Sequence, residues 1–248
     1  MSEKQRFKEL CEAESYRTAG PSAEEGIGIY NEKRLHRILK RTVCQDESCF
    51  EVGVGRYVAD VLDGTDIREI QCRSFKPLAP KVEYYLGRTD YSVEIIHPVI
   101  VKKRLIRAER ETGEILSIKQ SPKHGSVYNA LAQMYPLRDH IGNRRLSLRV
   151  MLIEAEEYRY SEQRYRCREG RYDAELFPTE LVDTVVLRSA EDYAALLPEE
   201  LWGKEFTAAD FSRYCKLNSR DLYSALNVLA TVGILKREQR GRRVFYRA

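Results

Sequence analysis

Two acids and an amide stand close to a tight-turn signal in this sequence: Asp60, Glu69 and Gln71 flank Asp63-Gly64-Thr65-Asp66. Glycine supplies the positive φ that a two-residue hairpin turn requires. With Gly64-Thr65 as the turn, Asp63 pairs with Asp66, Leu62 with Ile67, Val61 with Arg68 and Asp60 with Glu69. Opposed residues share a face, and the side-chain period of two puts Gln71 on the face of Glu69. Carboxylates directly opposite each other repel, so the pairing makes sense with a cation between them. Mg²⁺ and Mn²⁺, hard ions that take carboxylate oxygens, suit such a pair. The bland alternative is a solvated hairpin face carrying ordinary surface acids.

The elements that must position these residues are legible from apolar spacing. NEKRLHRILKRTV places Leu35, Ile38 and Leu39 at helical intervals, with Asn31 as its N-cap. FEVGVGRYV (50–58), ADVLD (59–63) and IREIQCR (67–73) read as two or three strands. PLAPKVEYYL reads as a second helix and YSVEIIHPVIVKKRLI as a buried strand, giving the order α-β-β-β-α-β. A charged hairpin, the basic loop SPKHGS, a helix over Val127–Ile141 and a strand RLSLRVMLIEAEEYRY follow. Next come an Arg- and Tyr-rich insert at about 159–173 and a helical connection over 174–202. In the last stretch, Thr207 with Asp210 is a capping box, Ser219 caps a second helix, Gly233 ends it, and QRGR turns a basic hairpin. Helix, turn, amphipathic helix and β-wing together resemble a winged helix-turn-helix domain.

Composition narrows the function classes. Of 248 residues 43% are hydrophobic and 32% charged, which supports a folded core and excludes a disordered or collagen-like chain. No run approaches the roughly 18 apolar residues of a membrane span, and MSEKQRFKELCEAE has no signal-peptide core, so a cytoplasmic location and no membrane partner are expected. Six scattered cysteines and four dispersed histidines propose neither a disulfide framework nor a zinc site. The net charge of +4 conceals an asymmetry: residues 203–248 hold ten basic and four acidic residues, and the preceding chain 32 basic and 34 acidic. A basic tail points to a polyanion partner.

Together these residues resemble the PD-(D/E)XK, or restriction-endonuclease-like, nuclease superfamily. Asp60 in YVADVL matches its first acid, and Glu69-Ile70-Gln71 its E-x-K motif. Glu32 matches the acid many members carry on the first helix, and Lys81 a basic position on the helix after the motif. More narrowly, NEKRLH, YVADV, EIQCRSF, YSVEIIHPVIVKK, QSPKHGS and VMLIEAEEYR, with the tail, look like an uncharacterised bacterial family of nuclease-like fold carrying a C-terminal winged helix-turn-helix. The implied fold is an α/β restriction-endonuclease-like αβββαβ core followed by a winged helix. Its implied divisions are an extension (1–27), the nuclease-like domain (28–160), an insert and helical connector (161–202), and the winged-helix domain (203–248).

The resemblance implies metal-dependent hydrolysis of phosphodiesters, with Asp60 and Glu69 holding Mg²⁺ or Mn²⁺ and Glu32, Gln71 and Lys81 assisting catalysis. Two departures stand out: Ala59 precedes Asp60 where the motif has proline, and Gln71 replaces the motif lysine. Glutamine hydrogen-bonds water but supplies no charge, and Lys81 is placed to compensate. The nucleic-acid contacts expected are Lys123, beside Ser121 in SPKHGS, Arg220 and Tyr223 on the second tail helix, and Arg237, Arg240, Arg242 and Arg243 in the wing. DNA is the leading partner, and a homodimer is an assembly the superfamily often uses. The alternatives are a catalytically inactive nuclease-like DNA-binding or regulatory protein, and a protein-interaction scaffold. Gln71 favours inactivity, and the retained Asp60 and Glu69 favour cleavage.

Overall fold

A computed structural model describes residues 1–15, 27–109, 112–161 and 174–248, the side chains of 27–32 and 161 excepted. Its elements, in chain order, begin with α1 (Glu3–Ala13), α2 (Ile27–Val43), β1 (Phe50–Val54), β2 (Tyr57–Asp63), β3 (Asp66–Ile70) and α3 (Ala79–Arg88). Then come β4 (Ser92–Glu109), β5 (Ile115–Gln120), α4 (Val127–Gln133), β6 (Leu146–Ser161), β7 (Ala174–Leu187) and α5 (Ala190–Ala194). The chain ends with β8 (Glu205–Thr207), α6 (Ala208–Phe211), α7 (Ser219–Thr231), β9 (Lys236–Arg240) and β10 (Arg243–Arg247). The protein is thus mixed α/β, and the order from α2 to β4 is α-β-β-β-α-β. No described helix is long and apolar enough to cross a membrane.

Packing divides the chain into two units. One comprises Met1–Glu47, Ile100–His124 and Met151–Asp183, and the other Ser48–Val99, Gly125–Val150 and Thr184–Ala248. In the first, Leu35, Ile38 and Leu39 are buried as their spacing predicts, and α1 adds Phe7 and Cys11. Arg34 is buried on the same helix. Its Nη2 lies 3.3 Å from Glu175 Oε2, and its guanidinium carbon 3.9 Å from the centre of the Phe177 ring. Tyr160 donates to the other Glu175 oxygen at 3.2 Å. A charge taken out of water survives only with such partners. Around it Ile106, Ala108, Tyr158, Tyr160 and Phe177 form an apolar cluster.

Three expectations are corrected here and in the tail. Helix α2 starts at Ile27, so Asn31 lies inside it. Residues 174–187 form strand β7 instead of a helical connection. Its inward residues Glu175, Phe177 and Leu181 are spaced for a strand, but a charged glutamate at an inward position disguises that period until its partner Arg34 is known. The cap of α7 is Asn218, whose side chain accepts from Asp221 N; Ser219 is the first helical residue. The Arg- and Tyr-rich insert lies, from 162 to 173, outside the described residues.

In the second unit β1 and β2 form a hairpin around Gly55-Arg56, with Val54 opposite Tyr57. The sequence pattern ran 50–58 together as one strand; Gly55, at φ +60°, breaks it. β2 and β3 pair in the register expected from Gly64-Thr65, through Asp63↔Asp66, Leu62↔Ile67 and Val61↔Arg68. β3 then runs parallel to β4, from Asp66↔Ser92 to Ile70↔Ile96. A parallel neighbour requires a crossover, which α3 provides. Val82, Tyr85 and Leu86 form the buried stripe of α3. The strand order is β1-β2-β3-β4-β6-β7.

In the tail, Phe206 stacks on Phe211 and on Tyr246, while Tyr128 of α4 meets Phe211 edge-on at 5.6 Å. β8, β10 and β9 make a separate three-stranded sheet. A Cβ at Gly55 would lie 1.9 Å from the Tyr84 hydroxyl, whereas one at Gly53 meets nothing within 4 Å. Gly55→Ala is therefore expected to lose about 1–3 kcal/mol in urea unfolding, and Gly53→Ala far less. Equal losses would show that the turn conformation is not the cause.

Candidate active site

The acid pair sits where β2 leaves β3. In a two-residue hairpin, hydrogen-bonded and open pairs alternate, so a continuing ladder would give the Ile70 amide to the Ala59 carbonyl. Instead the Asp60 carboxylate takes it: Ile70 N donates to Oδ2 at 2.8 Å. The strand pairing accordingly ends at Val61↔Arg68. A side chain has replaced the backbone as acceptor, and β3 is free to continue along β4 to Ile70.

Glu69 is 2% exposed. Lys81, in the first turn of α3, reaches it with Nζ 2.6 Å from Oε2. The other oxygen, Oε1, is buried without a hydrogen bond, as is the Tyr85 hydroxyl. The Tyr85 hydroxyl nevertheless stands near enough to Glu69 to act on it as a hydrogen-bond donor and to hold its carboxyl down, although neither atom has a partner at strict hydrogen-bond geometry. Burial raises the Glu69 carboxyl to about 8, the Asp60 charge adds to the rise, and Lys81 opposes both. Burial and the Glu69 charge likewise push the Tyr85 phenol up. Among the described residues the site thus joins two coupled carboxylates, one lysine and one buried oxygen that makes no hydrogen bond.

Gln71 follows the end of β3. Its amide Nε2 donates to the Ser74 carbonyl at 2.7 Å, its backbone N to Ile96 O at 2.9 Å, and its carbonyl meets His97 Nδ1. His97 is buried edge-on to Phe75, burial pushes its imidazole down against the opposing hydrogen bond to Gln71, and the ring anchors the turn. Lys81, not Gln71, is therefore the residue in contact with Glu69. Glu32 lies on α2, with its side chain outside the described residues.

One feature of the surroundings was missed in the sequence. Tyr57, Tyr84 and Tyr85 pack edge-on at 5.4–6.2 Å, and the Arg56 guanidinium carbon lies 5.1 Å and 5.3 Å from the Tyr57 and Tyr84 ring centres. The signal was present: Gly55-Arg56-Tyr57 is a turn followed by a strand, which brings Tyr57 to the tyrosine pair on α3.

The remaining expected contacts are distributed. Arg220 and Tyr223 are exposed one turn apart on α7, and Arg237, Arg242 and Arg243 are exposed on the β9–β10 hairpin. Arg240 is committed to Glu205 and to Glu238, at 2.8 Å from the latter. Lys123 is exposed, but its neighbour Ser121 is buried and accepts from Lys123 N, the bond of a tight turn.

A family model described as "Domain of unknown function (DUF8091)" matches residues 33–188. The chain belongs to the DUF8091 family. The match takes in Asp60, Glu69, Gln71 and Lys81 and stops before the basic tail. No curated protein and no solved structure matches this DUF8091 protein.

Among the described residues no group of three His, Cys, Asp or Glu side chains forms a metal set. The donors present nevertheless fit one hard cation: two repelling carboxylates, one with an orphaned buried oxygen. Lys81 meanwhile supplies the counter-charge. Lys81→Met is expected to cost about 2–4 kcal/mol above pH 8, where Glu69 is ionised and would be left buried and unpaired, and much less at about pH 6, where its raised carboxyl holds a proton. Adding Glu69→Gln should recover part of that loss in urea unfolding; a double variant no more stable than Lys81→Met would remove Glu69 as the reason.

Proposed function

We propose that this DUF8091 protein is a metal-dependent nuclease that hydrolyses phosphodiesters of nucleic acid, DNA in the first instance. The observation that carries the reading is the buried Glu69, coupled to Asp60, with Oε1 unpartnered and Lys81 on Oε2. A pair of this kind, perturbed by burial and by like charge, marks functional sites more often than structural ones. The αβββαβ order and the contact of a helix lysine with the second acid support the likeness to the PD-(D/E)XK superfamily.

Asp60 and Glu69 would hold Mg²⁺ or Mn²⁺, with the Ile70 carbonyl nearby. When bound, such an ion polarises a phosphate oxygen and lowers the pKa of its water. Asp60 is held in place by the Ile70 amide, so one of its oxygens is fixed before any ligand arrives. Lys81 carries the charge that the motif lysine would supply and, on release from Glu69 Oε2, can donate to a phosphate oxygen or orient water. Gln71, bound to Ser74, serves the turn. The tail, with β8, α6, α7 and the β9–β10 hairpin, is read as a winged helix. Arg242 and Arg243 at its exposed hairpin tip would contact phosphates, with Arg220 and Tyr223 on α7.

A second reading is DNA binding without cleavage. Gln71 at the lysine position favours it.

Incubation of purified protein with DNA and RNA, single- and double-stranded, tests the first reading. Cleavage is expected with Mn²⁺ or Mg²⁺, lost on chelation and lost in Asp60→Asn and in Glu69→Gln. Metal should also raise the melting temperature of the native protein but not of Glu69→Gln. Cleavage surviving both substitutions would sink the assignment; binding with no cleavage would establish the second reading. Arg242→Ala with Arg243→Ala should weaken DNA binding and reduce the salt slope by about 1–2, as expected for two lost phosphate contacts. An unchanged slope removes the wing from the interface.

A further inference from the structure

The same sheet carries a second, chemically opposite site. Side chains alternate along a strand, so Arg68 faces away from Glu69. In the register β3 keeps with β4, Arg68 stands beside Glu94 and Asp66 beside Ser92. These four residues line a pocket of about 340 Å³ with Arg144, Arg145, Ser147, Arg149 and Arg188, all within the second unit. Every lining side chain is an arginine, a serine or a carboxylate. Five arginines and two acids line the pocket.

Four acids stand against the five arginines, Asp66 and Glu94 in the lining and Asp63 and Asp192 beside it. Glu94 is shared among three arginines: Arg149 at 3.1 Å, Arg188 at 3.6 Å and Arg68 at 3.8 Å. Asp66 is engaged by the Ser92 hydroxyl. Arg145 donates to main-chain oxygens, those of Thr89 at 2.6 Å and Tyr91 at 3.2 Å and also that of Leu86, and so keeps its positive charge. Arg144 is exposed and makes no hydrogen bond or ion pair among the described residues. Asp63 and Asp192 attend the rim, beside Arg68 and Arg188. Positive charge gathered in a concavity is costly unless an anion completes it.

We infer that this pocket binds a phosphorylated anion, bearing one or two phosphate groups, through the forks of Arg68, Arg144, Arg149 and Arg188. Guanidinium forks match phosphate oxygens two at a time. The volume is at the lower end for a small-molecule site. No aromatic side chain lines it, so it recognises phosphate density and gives a nucleobase nothing to stack on. Glu94 acts as a placeholder, holding the arginines together until the anion takes them. The inference does not depend on the acid pair being catalytic.

Calorimetric titration of the full chain with inorganic phosphate and diphosphate at low ionic strength tests it. Saturable binding of at least one is expected, weakened about ten-fold or more in Arg144→Gln with Arg188→Gln, two exposed positions whose loss leaves the core intact. Glu94→Gln, by removing the carboxylate that Arg68, Arg149 and Arg188 share, should tighten binding, which a purely structural ion-pair network would not do. Failure of both anions to bind, or binding indifferent to the arginine substitutions, overturns the proposal. A single-stranded oligonucleotide then separates two sources of the same chemistry. If it competes with the anion and loses affinity in the arginine variant, the phosphates are those of nucleic acid; if it does not compete, the ligand is a free phosphorylated molecule. Either result upholds the oxyanion site.

Discussion

Glu69 must be kept from being an uncompensated charge in a dry place, and the elements around β3 answer that demand. The crossover helix that a parallel β3–β4 pair requires is also the helix that brings Lys81 to Oε2. The splay between β2 and β3 gives Asp60 a backbone amide to hold, which fixes it near Glu69 and also raises the electrostatic cost. Fold and tension therefore have one origin: the packing that buries Tyr85 and Val82 under α3 buries the carboxylate beside them. Removing water from an acid pair in this way creates affinity for a cation before any cation is present.

Charge in the tail obeys a different rule. The basic excess of residues 203–248 is a property of composition, but the folded hairpin does not present all of it. Arg240 is held between Glu205 and Glu238, because β8 lies beside β10 and puts Glu205 within reach across the sheet. Arg242 and Arg243, at the turn, stay exposed. A partner meets a narrower field than the residue count suggests, concentrated at the hairpin tip and on one face of α7.

Much of this was legible because it depends on short-range rules. The Gly64-Thr65 turn determined the β2–β3 register, helical spacing placed Leu35, Ile38 and Leu39, and Thr207 with Asp210 marked the start of α6. Part of what failed, apart from the caps at Asn31 and Ser219, depended on partners distant in the chain. Glu175 in an inward strand position hid the strand period of 174–187, which read as a helical connection, because its partner Arg34 stands 141 residues earlier. Gln71 keeps its parity only while the strand lasts, and β3 ends at Ile70, so its side chain follows the turn to Ser74. Lys81 was identified by likeness, and its contact with Glu69 became visible only in three dimensions. The arginine pocket was invisible because its members come from β3, β4, β6 and the ends of neighbouring loops, with no spacing to announce it.

β3 carries Arg68 to the phosphate-seeking pocket and Glu69, one residue on, to the lysine of α3. A slip of one position would exchange them, putting a guanidinium against Lys81 and a carboxylate among the arginines. The strand is thus a ratchet with a single stable tooth: substitutions along it alter one face at a time, but an inserted or deleted residue inverts the charge of both. Length variation in this region has to be absorbed by the turns at its ends, Gly64-Thr65 before it and residues 71–75 after it.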